Sequence, residues 1–207
     1  MSRRALHYGS LNAALNGLGS RVRFAVSDRF SGLTGEAFDL ITGNLPFVIS
    51  PDARFVFRDA GLRSDGFLAS VVRATGHHLT EGGVAQYLAQ WVHRQDAADA
   101  EVEEARLAAW VYAAGCEALI IRLERDPVDA YATRWLAGPE RPLSEAERAR
   151  RMDRWMSYYR RAGIRAISTG LFCLRRQARG PHRFAIEESS AASPPDGAAI
   201  AAWFDAR

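Results

Sequence analysis

Lysine is missing from this sequence: all 27 basic residues are arginine, against 24 acidic residues, for a net charge of +3. Arginine codons are rich in G and C, and alanine is also frequent. Part of the arginine content therefore reflects genomic base composition, and the total charge says little about partners. The distribution is more informative, since residues 145–183 hold eleven arginines against three acidic residues.

Long apolar runs and cysteines are also scarce. No window approaches the roughly 20 uncharged apolar residues that a membrane span requires, and no apolar secretory core follows the N-terminus. The sequence therefore predicts a cytoplasmic protein without a membrane partner. Cys116 and Cys173 lie in apolar strand-like runs without CxxC spacing, which favours buried free thiols over a disulfide or a metal site.

Several catalytic signatures are absent. The sequence has no Gly-x-Ser-x-Gly elbow, no P-loop and no histidine pair with metal-ligand spacing, so hydrolase, NTPase and metalloenzyme functions have no support and no metal is expected. His77 and His78 fit the charge preference of a helix C-terminus. Glu101, Glu103 and Glu104 are interpreted as a solvated helix face.

Helical and strand patterns alternate along the 207 residues, which predicts an α/β fold with a mostly parallel sheet and helices on both faces. Residues 1–188 form one domain in this interpretation, and residues 189–207 form a loose tail. Residues 48–66 form a long surface loop of the functional or mobile kind. The predicted strands are 22–26, 38–42, 84–92, 118–121 and 164–174, and the main helices lie at 3–16, 68–79, 98–114 and 145–162.

The tetrapeptide Asn44-Leu45-Pro46-Phe47 directly follows a predicted strand. Parallel strands open at their carboxyl ends into the crevice where α/β proteins bind ligands. There the Asn44 side-chain oxygen and the carbonyl beside Pro46 can accept N–H hydrogen bonds and so orient a nitrogen lone pair, while Phe47 stacks on a planar group. The alternative is an ordinary turn, since asparagine and proline are common turn residues.

Segments on both sides of this tetrapeptide, together with it, resemble those of one known family. They are residues 4–17, Ser27-Asp28, residues 38–47, Leu79-Thr80-Glu81-Gly82-Gly83, Val48-Ile49-Ser50-Pro51 and Arg58-Asp59-Ala60-Gly61. Taken together, residues 3–92 resemble the middle section of class I S-adenosylmethionine-dependent methyltransferases with an Asn-Pro-Pro-Phe/Tyr motif. The last two segments resemble an actinobacterial-type branch of the small-domain methyltransferases.

The resemblance implies a Rossmann-like sheet, S-adenosyl-L-methionine as cofactor, and site residues in named roles. Asn44, Pro46 and Phe47 would be catalytic, and Asp28 and Asn44 would bind the cofactor, with Asp28 at the adenine amino group. Leu45 replaces the first proline of the commoner motif but leaves the backbone carbonyl and Asn44 in place. The related adenine dimethylases also carry Asn-Leu-Pro-aromatic.

One departure from the family is larger: no acidic residue followed by a Gly-x-Gly-x-Gly loop occurs in the sequence. Gly17-Leu18-Gly19 is no substitute, because it follows a predicted helix and lacks a third glycine. The resemblance therefore predicts an N-terminally truncated chain whose sheet lacks the family's first two strands.

The expected activity is methyl transfer to a planar nitrogen, with a base of RNA or DNA as the favoured acceptor. Two alternatives stay open. One is the glutamine amide of a protein, as in release-factor methyltransferases, and the other is an inactive nucleic-acid-binding or interaction module. The arginines at 148, 150, 151, 154, 160 and 161, interleaved with Trp155, Tyr158 and Tyr159, could follow a phosphate backbone or form a solvated helix face.

Overall fold

The computed structural model describes residues 3–46, 48–52, 64–94, 100–137, 144–177, 180–189 and 196–206. Within these residues the chain forms six α-helices and five strands, which confirms the α/β class. The helices are α1 (Arg3–Leu15), α2 (Gly66–Thr75), α3 (Ala100–Ala113), α4 (Val128–Leu136), α5 (Glu145–Ala162) and α6 (Gly197–Asp205). The strands are β1 (Phe38–Asn44), β2 (Leu79–Arg94), β3 (Cys116–Pro127), β4 (Ile164–Arg176) and β5 (Phe184–Glu188).

The strands form one sheet in the order β1-β2-β4-β3-β5. β1 pairs with β2 and β5 pairs with β3 in parallel, whereas β4 lies antiparallel between β2 and β3. The sheet is therefore mixed, not mostly parallel as predicted. The reason lies in the two helices α4 and α5, which return the chain to the end of the sheet where β3 finishes. Ala166 near the start of β4 consequently pairs with Pro127 at the end of β3.

Helices cover both faces of the sheet, as the sequence predicts. α2 and α3 pack on the face where Trp91, Ile120 and Phe172 are buried. α4 and α5 cover the opposite face at the end of β2, and α6 covers the neighbouring part of that face over β3. Because successive strand residues point to opposite faces, Leu119 contacts α6 while its neighbour Ile120 lies beneath α3.

The burial predicted for both cysteines is confirmed. Cys116 and Cys173 are free and fully buried, and they lie in two different core clusters on opposite faces of the sheet. Burial raises the pKa of each thiol to about 11. Both thiols are therefore protonated and act as small apolar side chains at neutral pH.

The strand predicted at 22–26 does not form. Residues 22–27 have no regular secondary structure, and Val22, Phe24 and Val26 are 40%, 40% and 63% exposed. β1 is hydrogen-bonded to β2 along one side, and within the described ranges its other side pairs with no strand. An alternating segment without a neighbouring strand has no partner for its backbone N–H and C=O groups, so the pattern alone does not produce a strand.

The predicted loose tail contains a helix. The Asp196 side chain accepts a hydrogen bond from the Ala198 backbone N–H at 3.1 Å and so caps α6. Ile200 and Phe204 are buried against β3 and β4, and the Arg175 guanidinium lies 5.1 Å from the centre of the Phe204 ring. The burial of two apolar side chains overrides a composition typical of flexible ends.

Glu103 also departs from its prediction as part of a solvated face, although its two glutamate neighbours on α3 are exposed. Its buried carboxylate accepts from the Trp91 indole, pairs with Arg122 at 2.9 Å and lies 3.3 Å from His93 Nδ1. His93 Nε2 is in turn 2.7 Å from Ser168 Oγ. These side chains form a buried polar cluster that ties α3 to the sheet.

Candidate functional site

Asn44 is the last residue of β1 and lies at the carboxyl end of the parallel β1–β2 pair. It is opposite Leu88 in the register, and Leu45 N–H donates to the Leu88 carbonyl at 3.4 Å. The Asn44 side chain is exposed and makes no hydrogen bond to any residue that the structure describes. A rigid strand thus presents a free amide at the edge where α/β proteins bind ligands.

The residues after Asn44 are held from the core side. Leu45 is half-buried and packs against the main core cluster, and Pro46 is half-buried beside it. Phe47 lies outside the described residues. The structure therefore brings Asn44 and Pro46 together at the end of β1, while the stacking role of Phe47 stays a prediction.

Two tyrosines hold the backbone of Ile49, five residues after Asn44. The Tyr131 hydroxyl of α4 accepts from Ile49 N–H at 3.1 Å, and the Tyr159 hydroxyl of α5 donates to the Ile49 carbonyl at 2.7 Å. Tyr131 also donates to the Gln90 side chain of β2. Burial raises the pKa of Tyr159 far above its usual value, so this hydroxyl keeps its proton at neutral pH.

α5 holds the next residues of the same segment. Trp155 Nε1 donates to Asp52 Oδ2 at 3.0 Å, and Arg154 pairs with Asp52 Oδ1 at 2.9 Å. Arg154 also donates to the Pro51 carbonyl at 3.1 Å. Residues 49–52 are therefore attached to α5 by side chains spaced about one helical turn apart.

A buried carboxylate lies near the same end of the sheet, and the sequence interpretation missed it. Asp65 precedes α2, accepts from Val92 N–H at 3.1 Å and pairs with Arg106 at 2.8 Å. Arg106 also donates to the Val92 carbonyl at 2.8 Å. The signal that could have revealed this anchor is Ser64-Asp65-Gly66, a cap-like tripeptide directly before a helical pattern.

Asp28 lies in a different place. With Phe30, Ser31, Ser70 and His78 it lines a hollow of about 440 Å³, which Asn44 does not line. The Asp28 carboxylate is 76% exposed and pairs with Arg29 at 3.1 Å. The hollow opens beside the start of β1, where His78 Nδ1 contacts the Glu36 carbonyl at 3.0 Å.

The two predicted cofactor contacts therefore do not line the same hollow. Asn44 lies six residues beyond Phe38 along β1, which corresponds to about 20 Å at the usual strand rise. Asp28 thus lines a hollow beside the start of β1, whereas Asn44 is the last residue of that strand. The separation follows from the absence of a strand at 22–27, since an unpaired segment does not carry Asp28 to the carboxyl edge of the sheet. The adenine-binding role of Asp28 stays a prediction.

The arginines of α5 divide into two groups. Arg151 pairs with Glu147 at 2.8 Å, and Arg160 donates to Ser157. The other four, Arg148, Arg150, Arg154 and Arg161, are exposed, and of these Arg154 contacts the segment after Asn44. Arg150 and Arg161 make no ion pair with any residue in the described ranges.

Two further site types find no support in the described ranges. No group of three or more His, Cys, Asp or Glu side chains there could hold a metal ion. None of the helices observed there is both long enough and apolar enough to cross a membrane.

Comparison with known proteins identifies similar solved structures. No family model matches the chain, and no curated protein matches it. StiE O-MT aligns with a TM-score of 0.48 and 15% identity over 87% of this chain and 58% of its own. The O-methyltransferase from a trans-AT PKS multienzyme of Brevibacillus brevis, in complex with S-adenosyl-L-homocysteine, aligns at 0.46 and 15% over 85% and 56%.

A third similar structure is the SAM-dependent methyltransferase from Thiobacillus denitrificans in complex with S-adenosyl-L-homocysteine, with a TM-score of 0.35 and 15% identity over 85% of this chain and 73% of that one. The chain spans less than two thirds of the length of the first two structures.

Proposed function

We propose that this chain carries the acceptor-binding side of an S-adenosylmethionine-dependent N-methyltransferase that acts on a planar nitrogen of a nucleic-acid base. The observation that carries the proposal is the exposed amide of Asn44 at the carboxyl end of β1, which makes no hydrogen bond to a described residue and is followed by Pro46. S-adenosyl-L-methionine would supply the electrophilic methyl group.

The role of Asn44 follows from hydrogen-bond geometry. The side-chain oxygen of Asn44 and the carbonyl of Leu45 are two acceptors on adjacent residues, and an exocyclic amino group has two N–H donors. When both hydrogens are held in the plane of the base, the nitrogen lone pair is turned toward a methyl donor. Pro46 fixes the backbone that presents the second acceptor, because its ring restricts φ.

The rigid setting of residues 48–52 supports this proposal. Tyr131, Tyr159 and Trp155 hold that segment through its backbone and through Asp52. An acceptor site needs its polar groups fixed within a fraction of an ångström, and hydrogen bonds to buried side chains provide that restraint. The long segment after Asn44 is thus anchored at its start.

Methyl transfer to oligonucleotides tests the proposal. The whole chain is incubated with S-adenosylmethionine labelled in its methyl group and with single-stranded RNA or DNA, and the modified nucleoside is identified by mass spectrometry. We expect Asn44→Ala to lose at least about 100-fold in rate, which corresponds to about 2.7 kcal/mol of transition-state stabilisation. The matched control is Asn12→Ala, at an exposed asparagine on α1.

Equal rates for Asn44→Ala and the unaltered protein would contradict the assignment. Transfer to a glutamine amide of a protein substrate, with none to oligonucleotides, would replace the base as acceptor.

A non-catalytic nucleic-acid-binding module is the second candidate, favoured because Asp28 lines a hollow beside the start of β1 while Asn44 lies at the other end of that strand. If this candidate holds, the chain binds oligonucleotides but shows no transfer and no calorimetric signal with S-adenosylmethionine.

A further inference from the structure

The positive charge of the chain is concentrated in one helix. α5 contains six arginines and three acidic residues, so it carries a net charge of +3. The whole chain has 27 arginines and 24 acidic residues, also +3, which leaves 21 of each outside α5. The excess charge of the molecule is therefore a local property of α5.

Three of the α5 arginines form a continuous stripe on the exposed side. Along α5, Arg150, Arg154, Ser157 and Arg161 follow one another at intervals of four, three and four residues. This spacing places all four on one helix face. The buried residues Trp155 and Tyr159 belong to the opposite face. The stripe extends about 16 Å along the helix axis.

The stripe leads to the candidate site. Arg154 contacts both Asp52 and the Pro51 carbonyl, and its side chain is still 61% exposed. Asp52 lies eight residues after Asn44 in the chain. A polyanion lying along α5 would therefore be directed toward the segment that follows Asn44.

We propose that the face of Arg150, Arg154 and Arg161 binds the phosphate backbone of a single-stranded nucleic acid and guides it to Asn44. This inference rests on the proposed function and names the surface that holds its substrate. Guanidinium groups suit phosphate oxygens because their planar donors can engage two oxygens at once. A single strand suits Asn44, because the amino group of an unpaired base is free to meet its acceptors.

Fluorescence anisotropy tests the inference without any turnover. A labelled mixed-sequence oligonucleotide of about 20 nucleotides exceeds the usual site size and is titrated with the whole chain at about 50 to about 200 mM salt. The stripe variant is Arg150→Gln with Arg161→Gln. The control is Arg3→Gln with Arg21→Gln, which removes the same charge from exposed positions more than 100 residues before α5 in the sequence.

We expect the stripe variant to bind about 10-fold more weakly than the unaltered chain at low salt and the control to change less than about 2-fold. The slope of log affinity against log salt should fall in magnitude by about 1.4 for the stripe variant, since each lost phosphate contact contributes about 0.7 on single strands. Circular dichroism should show that both variants keep the fold.

Equal weakening by the two double variants would overturn the inference, because net charge alone would then explain binding. An unchanged salt slope, or stripe-dependent binding to phosphatidylserine vesicles without oligonucleotide binding, would overturn it as well.

Asn44→Ala separates this inference from the proposed function. It should leave the slope of log affinity against log salt unchanged, because Asn44 contributes no charge. Stripe-dependent binding without methyl transfer supports the inference and counts against the function. Methyl transfer to a protein amide without oligonucleotide binding would overturn the inference, while the chain would still act as a methyltransferase on a different acceptor.

Discussion

At the scale of single residues, the two tyrosine hydrogen bonds to the backbone of Ile49 are where a small change should have a measurable effect on stability. Tyr131→Phe or Tyr159→Phe removes one hydroxyl and leaves either the N–H or the carbonyl of buried Ile49 without its partner. An unsatisfied buried polar group costs about 1 to 3 kcal/mol.

We expect each substitution to lower the free energy of unfolding by that amount in urea titrations and to reduce the rate of methyl transfer more than it alters oligonucleotide affinity. Tyr112→Phe, at a tyrosine that is 45% exposed, is the matched control. An unfolding free energy equal to that of the control would show that the two tyrosine hydroxyls do not stabilise residue 49.

His93 should make stability depend on pH. Burial, followed by nearby arginines including Arg125 and Arg122, lowers the pKa of His93 from 6.5 to about 3. The Glu103 carboxylate lies 3.3 Å from Nδ1, but it is already engaged by Arg122 and the Trp91 indole. The folded protein therefore keeps His93 neutral.

Below pH 6.5 His93 takes up a proton in the unfolded chain but stays neutral in the folded chain. The contribution of His93 to the free energy of unfolding is therefore at its maximum above pH 6.5 and is lost as the pH falls toward 3. We expect His93→Gln to flatten the decline in unfolding free energy between pH 6.5 and pH 4, relative to the unaltered chain. His77→Gln, at an exposed histidine, should leave the decline in place. If the unfolding free energy declines in parallel for all three proteins, carboxylates and not His93 cause the decline.

At the scale of elements, α6 tests how a single cap organises the C-terminal segment. Asp196→Ala removes the acceptor for the Ala198 N–H, whereas Asp196→Asn keeps a side-chain oxygen. N-cap substitutions to alanine cost about 1 kcal/mol. Hydrogen exchange of the α6 amides should therefore accelerate about five-fold in the alanine variant and little in the asparagine variant. Similar exchange in both variants would assign the order of α6 to the burial of Phe204 alone.

Local signals in the sequence predicted most elements, because they depend on neighbours a few residues away. Ser144 and Glu147 predict a capping box, and the Ser144 side chain does accept from Glu147 N–H at 3.2 Å at the start of α5. Gly163 predicts the end of that helix and adopts a left-handed conformation with φ of 63°. The long strands β2 and β4 also follow their apolar runs.

Elements that depend on distant partners were not predictable in this way. Val22, Phe24 and Val26 alternate as in a strand, but a strand also needs a neighbour that the local pattern does not specify. Glu103 has the composition of an exposed helix residue and becomes buried only because Arg122 and Trp91 reach it from the sheet. In the candidate site, the position of Asn44 at the end of a strand was predictable from the local pattern, whereas the two tyrosines that hydrogen-bond Ile49 come from helices more than 80 residues away.

At the scale of the whole molecule, β1 forms one edge of the sheet. β1 pairs only with β2 in the described ranges, and Leu40 on this edge strand is 61% exposed. Unpaired N–H and C=O groups beside an apolar side chain form a template for pairing with a second chain. Natural sheets block such edges with charged side chains, lysine above all, and this sequence contains no lysine.

We therefore expect the chain to self-associate as its concentration rises, with β1 as the contact. Leu40→Lys should shift the association to at least about 10-fold higher concentration in analytical ultracentrifugation, because a charge on the edge strand must be desolvated when two edges pair. Leu15→Lys is the matched control, since Leu15 on α1 is 75% exposed and the added charge is identical. Neither substitution should change the unfolding free energy by more than about 0.5 kcal/mol, as both side chains are exposed. If both lysines suppress association equally, repulsion from the higher net charge is responsible and β1 is not the contact.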